Sequence, residues 1–127
     1  MSPEQFEELV DQAWEEIPES FRDRFSNLAI FVEPEPSREQ LRAARVPRRG
    51  TLLGLYQGVP LLKRSVHYGM VLPDRVTLFQ GPIERSALRP GEIPDIVYNT
   101  LWHELAHHLG MNEREVRAAE RRRGVRH

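Results

Sequence analysis

The sequence predicts an α+β protein: one helix, then three strands, then a long helix and a short terminal one. Three observations predict it. Apolar residues recur at helical spacing between Phe6 and Ile17, and again between Ile93 and Leu109. Between them lie three short runs rich in β-formers. Proline and glycine separate the runs, so helices and strands are segregated along the chain.

The first helix opens at Ser2-Pro3-Glu4, with serine as N-cap and proline at the first helical position. Phe6, Leu9, Val10, Ala13, Trp14 and Ile17 form its apolar side, and Pro18 ends it. Glu7, Glu8, Asp11, Glu15 and Glu16 form its solvated side. Leu28-Ala29-Ile30-Phe31-Val32 reads as a buried strand, and Glu33–Ser37 as a stiff proline-containing loop. Residues 38–50 scatter Arg38, Arg42, Arg45, Arg48 and Arg49 around Leu41 and Val46, as in a surface turn of helix or a loop. Thr51–Gly58 is a second strand. Arg75–Gln80 alternates polar and apolar residues, which suits a half-buried strand at either the edge or the interior of a sheet. Residues 82–92 form a connection with a helical turn near Ile83–Leu88, and Pro94 then opens the long helix.

A chain of 127 residues is expected to form one domain, 1–127, with a modest core. It has no cysteine, so disulfides and thiolate metal ligands are excluded. No run of 18 apolar residues offers a membrane span, and the acidic N-terminus is the reverse of a secretory signal, which favours a prokaryotic cytoplasm. Net charge is −1 but unevenly spread: residues 1–39 carry eleven acids and three bases, the remainder eight acids and fifteen bases. The simplest expectation is internal pairing, with the acidic first helix lying on a basic body; a basic face for an acidic partner or RNA is the sharper alternative. Residues 38–50 contain no aromatic side chain of the kind single-stranded nucleic-acid sites use, so nucleic acid is not the expected partner.

The chemistry concentrates in Leu101–Glu113. His103-Glu104-x-x-His107 puts two imidazoles about 40° apart around a helix axis, one turn apart, where both can reach one metal ion. Glu104 lies on the adjoining flank, able to reach a water at that metal without displacing it. Two nitrogen ligands, a third protein ligand, an open position and a base are what a zinc hydrolase needs. Gly110 can end the helix in a left-handed conformation and turn the chain back. Glu113 follows, six residues past His107, and a carboxylate is an acceptable zinc ligand. Glu115 is explained as part of a capping box with Asn112, and Glu120 is a weaker candidate on the same terminal helix.

The string His-Glu-x-x-His-x-x-Gly-x-x-Glu resembles the metzincin signature, with glutamate in the third ligand position. Leu52–Leu61 and Leu72–Glu84 extend the resemblance, which points to the small bacterial zincin-like metallopeptidase-domain proteins, or minimal zincins. It implies Zn2+ held by His103, His107 and Glu113, with Glu104 as general base. It also implies an α+β, zincin-like fold: an N-terminal helix, a small mixed three- to four-stranded sheet, an active-site helix and a short C-terminal helix. The expected function is a zinc-dependent metallopeptidase acting on a peptide or protein substrate. Full metzincins carry a methionine turn after the third ligand; here the last methionine is Met111. The C-terminal wall of the cleft is therefore expected to be missing and the site to be open.

Two other functions share the pattern. A metal-dependent endoribonuclease would use the same His-x3-His spacing and suit the basic half of the chain. A non-catalytic zinc-binding module would use the metal structurally. Donors for a developing oxyanion could come from Tyr56, His67, Tyr68 or Tyr98. Asp95 or Asn99 could orient a ligand imidazole, and His108 is expected at the surface.

Overall fold

The computed structural model describes residues 1–25, 27–47, 49–58, 73–110, 114 and 118. Helix α1 (Pro3–Glu16) leads through α2 (Glu19–Arg22) into strand β1 (Leu28–Glu33). Helix α3 (Arg38–Ala43) precedes β2 (Gly54–Gln57), and β3 (Asp74–Phe79) runs directly into α4 (Gln80–Ser86). A 3-10 turn at Pro90–Glu92 delivers the chain to α5 (Ile93–His108). Of the expected short C-terminal helix only Arg114 and Ala118 are described, both helical; Glu113, Glu115 and Glu120 lie outside the described residues.

Local chemistry starts α1 as the sequence predicts. Ser2 Oγ accepts from the Gln5 N–H at 3.1 Å, and the Gln5 side chain accepts from the Ser2 N–H at 2.8 Å. This reciprocal box satisfies two donors that a helix start otherwise leaves open. Phe6, Val10, Ala13 and Ile17 are buried in one stripe, each large one contributing roughly 1.5–3 kcal/mol by leaving water. Much of the basic half of the chain that was expected to meet the acidic side of α1 lies outside the described residues. Glu4, Glu7, Glu8 and Asp11 are exposed and form no ion pair among the described residues; at the helix end Glu15 meets Arg22 at 3.7 Å. The apolar stripe needs the core more strongly than surface charges need partners.

Among the described residues the sheet has three strands in the order β1-β3-β2. β1 runs parallel to β3, with Ile30 opposite Val76, and β2 runs antiparallel to it, with Tyr56 opposite Val76. The sheet is mixed, and β3 is interior with β2 at an edge. Every residue of β3 from Val76 to Phe79 is buried, although its sequence alternates in polarity: Thr77 is 0% exposed. Alternation therefore did not mark a solvent face here. β2 is shorter than the run Thr51–Gly58 suggests, and the turn expected at Ile83–Leu88 begins earlier, at Gln80.

Helix α5 is the centre of the core. Of the expected stripe Ile93, Val97, Leu101, Leu105 and Leu109, the first four are buried and Leu109, just past the helix end, is half-buried; a second stripe, Tyr98, Trp102 and Ala106, is buried too. Trp102 is 1% exposed and meets the Phe21 ring edge-on, with centroids 4.9 Å apart. α1 packs on α5 from one side and the sheet from another. The strip left over runs through Ile96, Asn99, Thr100, His103, Glu104 and His107, none of which is fully buried.

Candidate metal centre

That remaining strip is where the His-Glu-x-x-His residues stand. His103 and Glu104 are half-buried and His107 is exposed. The His103 and His107 ring centroids are 6.3 Å apart, with planes tilted 36°. Zn–N bonds of about 2.1 Å would set two imidazoles on one ion with centroids roughly 5–6 Å apart, so the pair stands slightly wider than that span. His103 Nδ1 lies 2.7 Å from the Asn99 main-chain oxygen. As a donor there, Nδ1 carries the proton and Nε2 keeps its lone pair for a metal. Asn99, one of the two residues expected to orient a ligand imidazole, does so through its backbone carbonyl. Among the described residues no group of three His, Asp or Glu forms a complete cation site, Glu113 being outside them. The donor chemistry of the two histidines fits zinc.

Glu104 stands between helix and sheet. Burial pushes its carboxyl above the usual glutamate range; the neighbouring His103 and the Tyr56 main-chain N–H, which donates to the carboxylate, pull the other way. A carboxyl raised in this manner takes up a proton more readily than an exposed glutamate does, which suits a general base. Sequence periodicity put Glu104 beside the histidines, but its tie to β2 required the fold.

β2 comes unusually close to α5 at Gly54. A Cβ built there would lie 2.8 Å from Thr100 Cγ2 and 3.1 Å from Leu78 Cδ2. A glycine inside a strand is a sequence signal for such an approach. Leu53, Gly54, Ile96, Asn99, Thr100, His103 and Glu104 together line an open cleft of about 380 Å³. Its wall beside His103 and Glu104 is largely apolar.

At the other end of the strip, Tyr56 stacks on His108, with centroids 3.8 Å apart and planes at 17°. The Tyr56 hydroxyl donates to Asp74 Oδ2 at 2.9 Å, and His108 Nε2 lies 3.7 Å from the same oxygen. His108 is exposed at the surface, as expected, and it joins the helix end to the sheet. The Tyr56 hydroxyl is committed to Asp74 and so is not the oxyanion donor in this arrangement. Tyr98 is buried in the core, 3% exposed. His67 and Tyr68 lie outside the described residues, and Asp95 lines a separate hollow with Glu92. Asp74 was not anticipated, because nothing local marks a strand's first residue as a partner for residues 18 positions before it and 34 after it. Gly110 has φ +79°, the left-handed stop expected after α5, and its N–H reaches the His107 carbonyl at 3.0 Å.

No helix among the described residues is long and apolar enough to cross a membrane. A solved structure described as a conserved hypothetical protein from Thermo thermophilus is similar to this chain, with 28% identity and a TM-score of 0.57. The match covers 86% of this chain and 94% of that one. No curated protein matches. The model of the zincin-like metallopeptidases matches residues 25–123, which take in the whole sheet, the cleft and the His-Glu-x-x-His helix. The chain belongs to the zincin-like metallopeptidase family.

Proposed function

We propose that the protein is a zinc-dependent peptidase with His103, His107 and Glu113 as ligands and Glu104 as general base. The observation that carries this reading is the setting of Glu104: half-buried in the cleft, one residue from His103, and hydrogen-bonded by the Tyr56 N–H. When bound, zinc supplies Lewis acidity toward a carbonyl oxygen and toward water.

The chain's own residues do the rest. The Asn99 carbonyl holds the His103 ring in the tautomer that offers Nε2. Glu104 accepts a proton from the attacking water and delivers it to the leaving amine nitrogen. The Tyr56 N–H fixes the carboxylate's direction between those two transfers. β2 is an edge strand among the described residues, and its outward main-chain groups other than the Tyr56 N–H can pair with an extended peptide. Leu53, Ile96 and the Thr100 methyl then receive a substrate side chain next to the base.

The test is metal analysis and peptide cleavage on purified protein. Wild type should hold about one zinc per chain and cleave peptides. Glu104→Gln should keep the zinc and lose cleavage. Cleavage that survives Glu104→Gln sinks the mechanism, and cleavage of RNA instead of peptide would transfer the site to the endoribonuclease reading.

A further inference from the structure

Helix α3 has six residues and buries none of them. Local bonds hold it. Ser37 and Gln40 exchange a capping box at 3.0 and 2.7 Å. At the other end Arg45 sits at φ 56°, and the N–H groups of Arg45 and Val46 reach the carbonyls of Arg42 and Leu41, both at 3.0 Å. That closing pattern draws an apolar pair together, here Leu41 and Val46. A left-handed arginine costs about 1–2 kcal/mol relative to the right-handed form. The segment is thus strained, locally braced and only half-covered.

Leu41 and Val46 line a groove of about 540 Å³ with Pro47, Arg38 and Arg42. Arg38, Arg42, Arg45 and Arg49 are all exposed. Some arginines elsewhere have carboxylates: Arg85 grips Glu35 with two bonds of 2.8 Å, and Arg75 meets Glu33 at 3.5 Å; Arg24 and Arg89 stand singly, whereas four arginines gather around this groove. Among the described residues the four guanidinium groups of this segment hold no such ion pair. Glu39, the acid on α3, faces a different hollow with Gln57 and Arg75.

We propose that this basic groove docks an acidic segment of the peptide substrate, with carboxylates on the arginines and an aliphatic side chain between Leu41 and Val46. The short chain distance from Arg49, two residues past the groove's Pro47, to the cleft supports it. Arg49 is four residues from Leu53, which lines the cleft. Chain reach limits their separation to about 14 Å, a span an extended peptide covers in four or five residues. A substrate in the cleft would therefore carry its acidic flank to the arginines. RNA fits less well: residues 38–50 have no aromatic ring for base stacking, and aliphatic side chains floor the groove. Identification of the docked chain as substrate rests on the peptidase reading.

The experiment measures fluorescence anisotropy on the full-length, zinc-loaded Glu104→Gln protein. One probe is a labelled peptide of about twelve alternating Glu and Leu residues; the other replaces Glu with Lys. The acidic probe should bind about tenfold tighter or more. Arg42→Glu with Arg49→Glu should weaken it about tenfold, and added salt should weaken it further. Circular dichroism and melting confirm that the reversed variant folds, and Arg42→Gln with Arg49→Gln should fall between the two. Equal binding of both probes, indifference to reversal, or tighter binding of oligouridine through the same arginines would overturn the proposal. If the acidic probe binds but wild type cleaves no peptide, the peptidase reading fails and the docking surface stands. If wild type cleaves neutral and acid-flanked peptides equally well, docking fails and the peptidase reading stands.

Discussion

The main-chain N–H of Tyr56 donates to the Glu104 carboxylate, so the edge strand of the sheet holds the proposed base on the helix opposite. A side chain on one element is aimed by the backbone of another. This relationship makes Glu104 sensitive to the position of β2 and makes several outcomes predictable.

Glu104→Gln keeps the side chain's size and removes its charge. Loss of a general base is expected to lower peptide cleavage by about 10²–10⁴-fold, while zinc content by metal analysis stays at the wild-type value. Equal loss of zinc would mean that Glu104 is itself a ligand.

The same substitution should stabilise the metal-free protein. Burial raises the Glu104 carboxyl in the folded state, so the folded chain holds that proton more tightly than the unfolded chain. Stability is then greatest below the ordinary glutamate range and falls as pH rises through the folded value. Chelator-treated wild type and Glu104→Gln should melt alike in acid and diverge as pH rises, the Gln variant melting higher. Parallel melting curves across pH would contradict the burial effect.

Zinc removal should lower the melting temperature of wild type, because a ligand that binds only the folded state stabilises it. His103→Ala, His107→Ala and Glu113→Ala should each remove most of that increment. If Glu113→Ala retains full zinc affinity by competition with a chelator, the third ligand moves to Glu115 or Glu120.

Gly54→Ala should cost about 1–3 kcal/mol by denaturant unfolding, as overpacking at a close backbone approach does. The new methyl meets Thr100 Cγ2 at 2.8 Å. Thr100→Ser deletes that methyl and should recover part of the loss. Recovery will be incomplete, because Leu78 Cδ2 and the Thr77 carbonyl also crowd the site, at 3.1 and 3.3 Å.

The Glu35 carboxyl should titrate below the ordinary glutamate range by NMR. Its two hydrogen bonds from Arg85 stabilise the charged form, outweighing a slight cost of burial. The direction is downward, so this contribution is present above the unfolded value and fades as pH falls through the folded one. Arg85→Ala should return the titration to the ordinary range with little change in melting, since the pair is exposed.

Much of this was legible in the chain because it is local. Capping residues declare a helix start within three positions, so Ser2 and Gln5 could be read directly. Spacing of 3.6 residues per turn put His103, Glu104 and His107 on one strip of α5, and the need for φ > 0 marked Gly110 as the stop. The order of helices and strands followed from the same short-range rules. Tertiary structure alone decided what depends on residues far apart in sequence. It made β3 interior despite its alternating pattern, buried the Trp102 flank of α5 against Phe21, and joined Tyr56, Asp74 and His108. It also aimed the Tyr56 N–H at Glu104 and left the arginines around α3 unneutralised among the described residues. The physical reason is that periodicity records which side of an element is apolar, whereas packing chooses which element covers it. The base's environment is set by that choice.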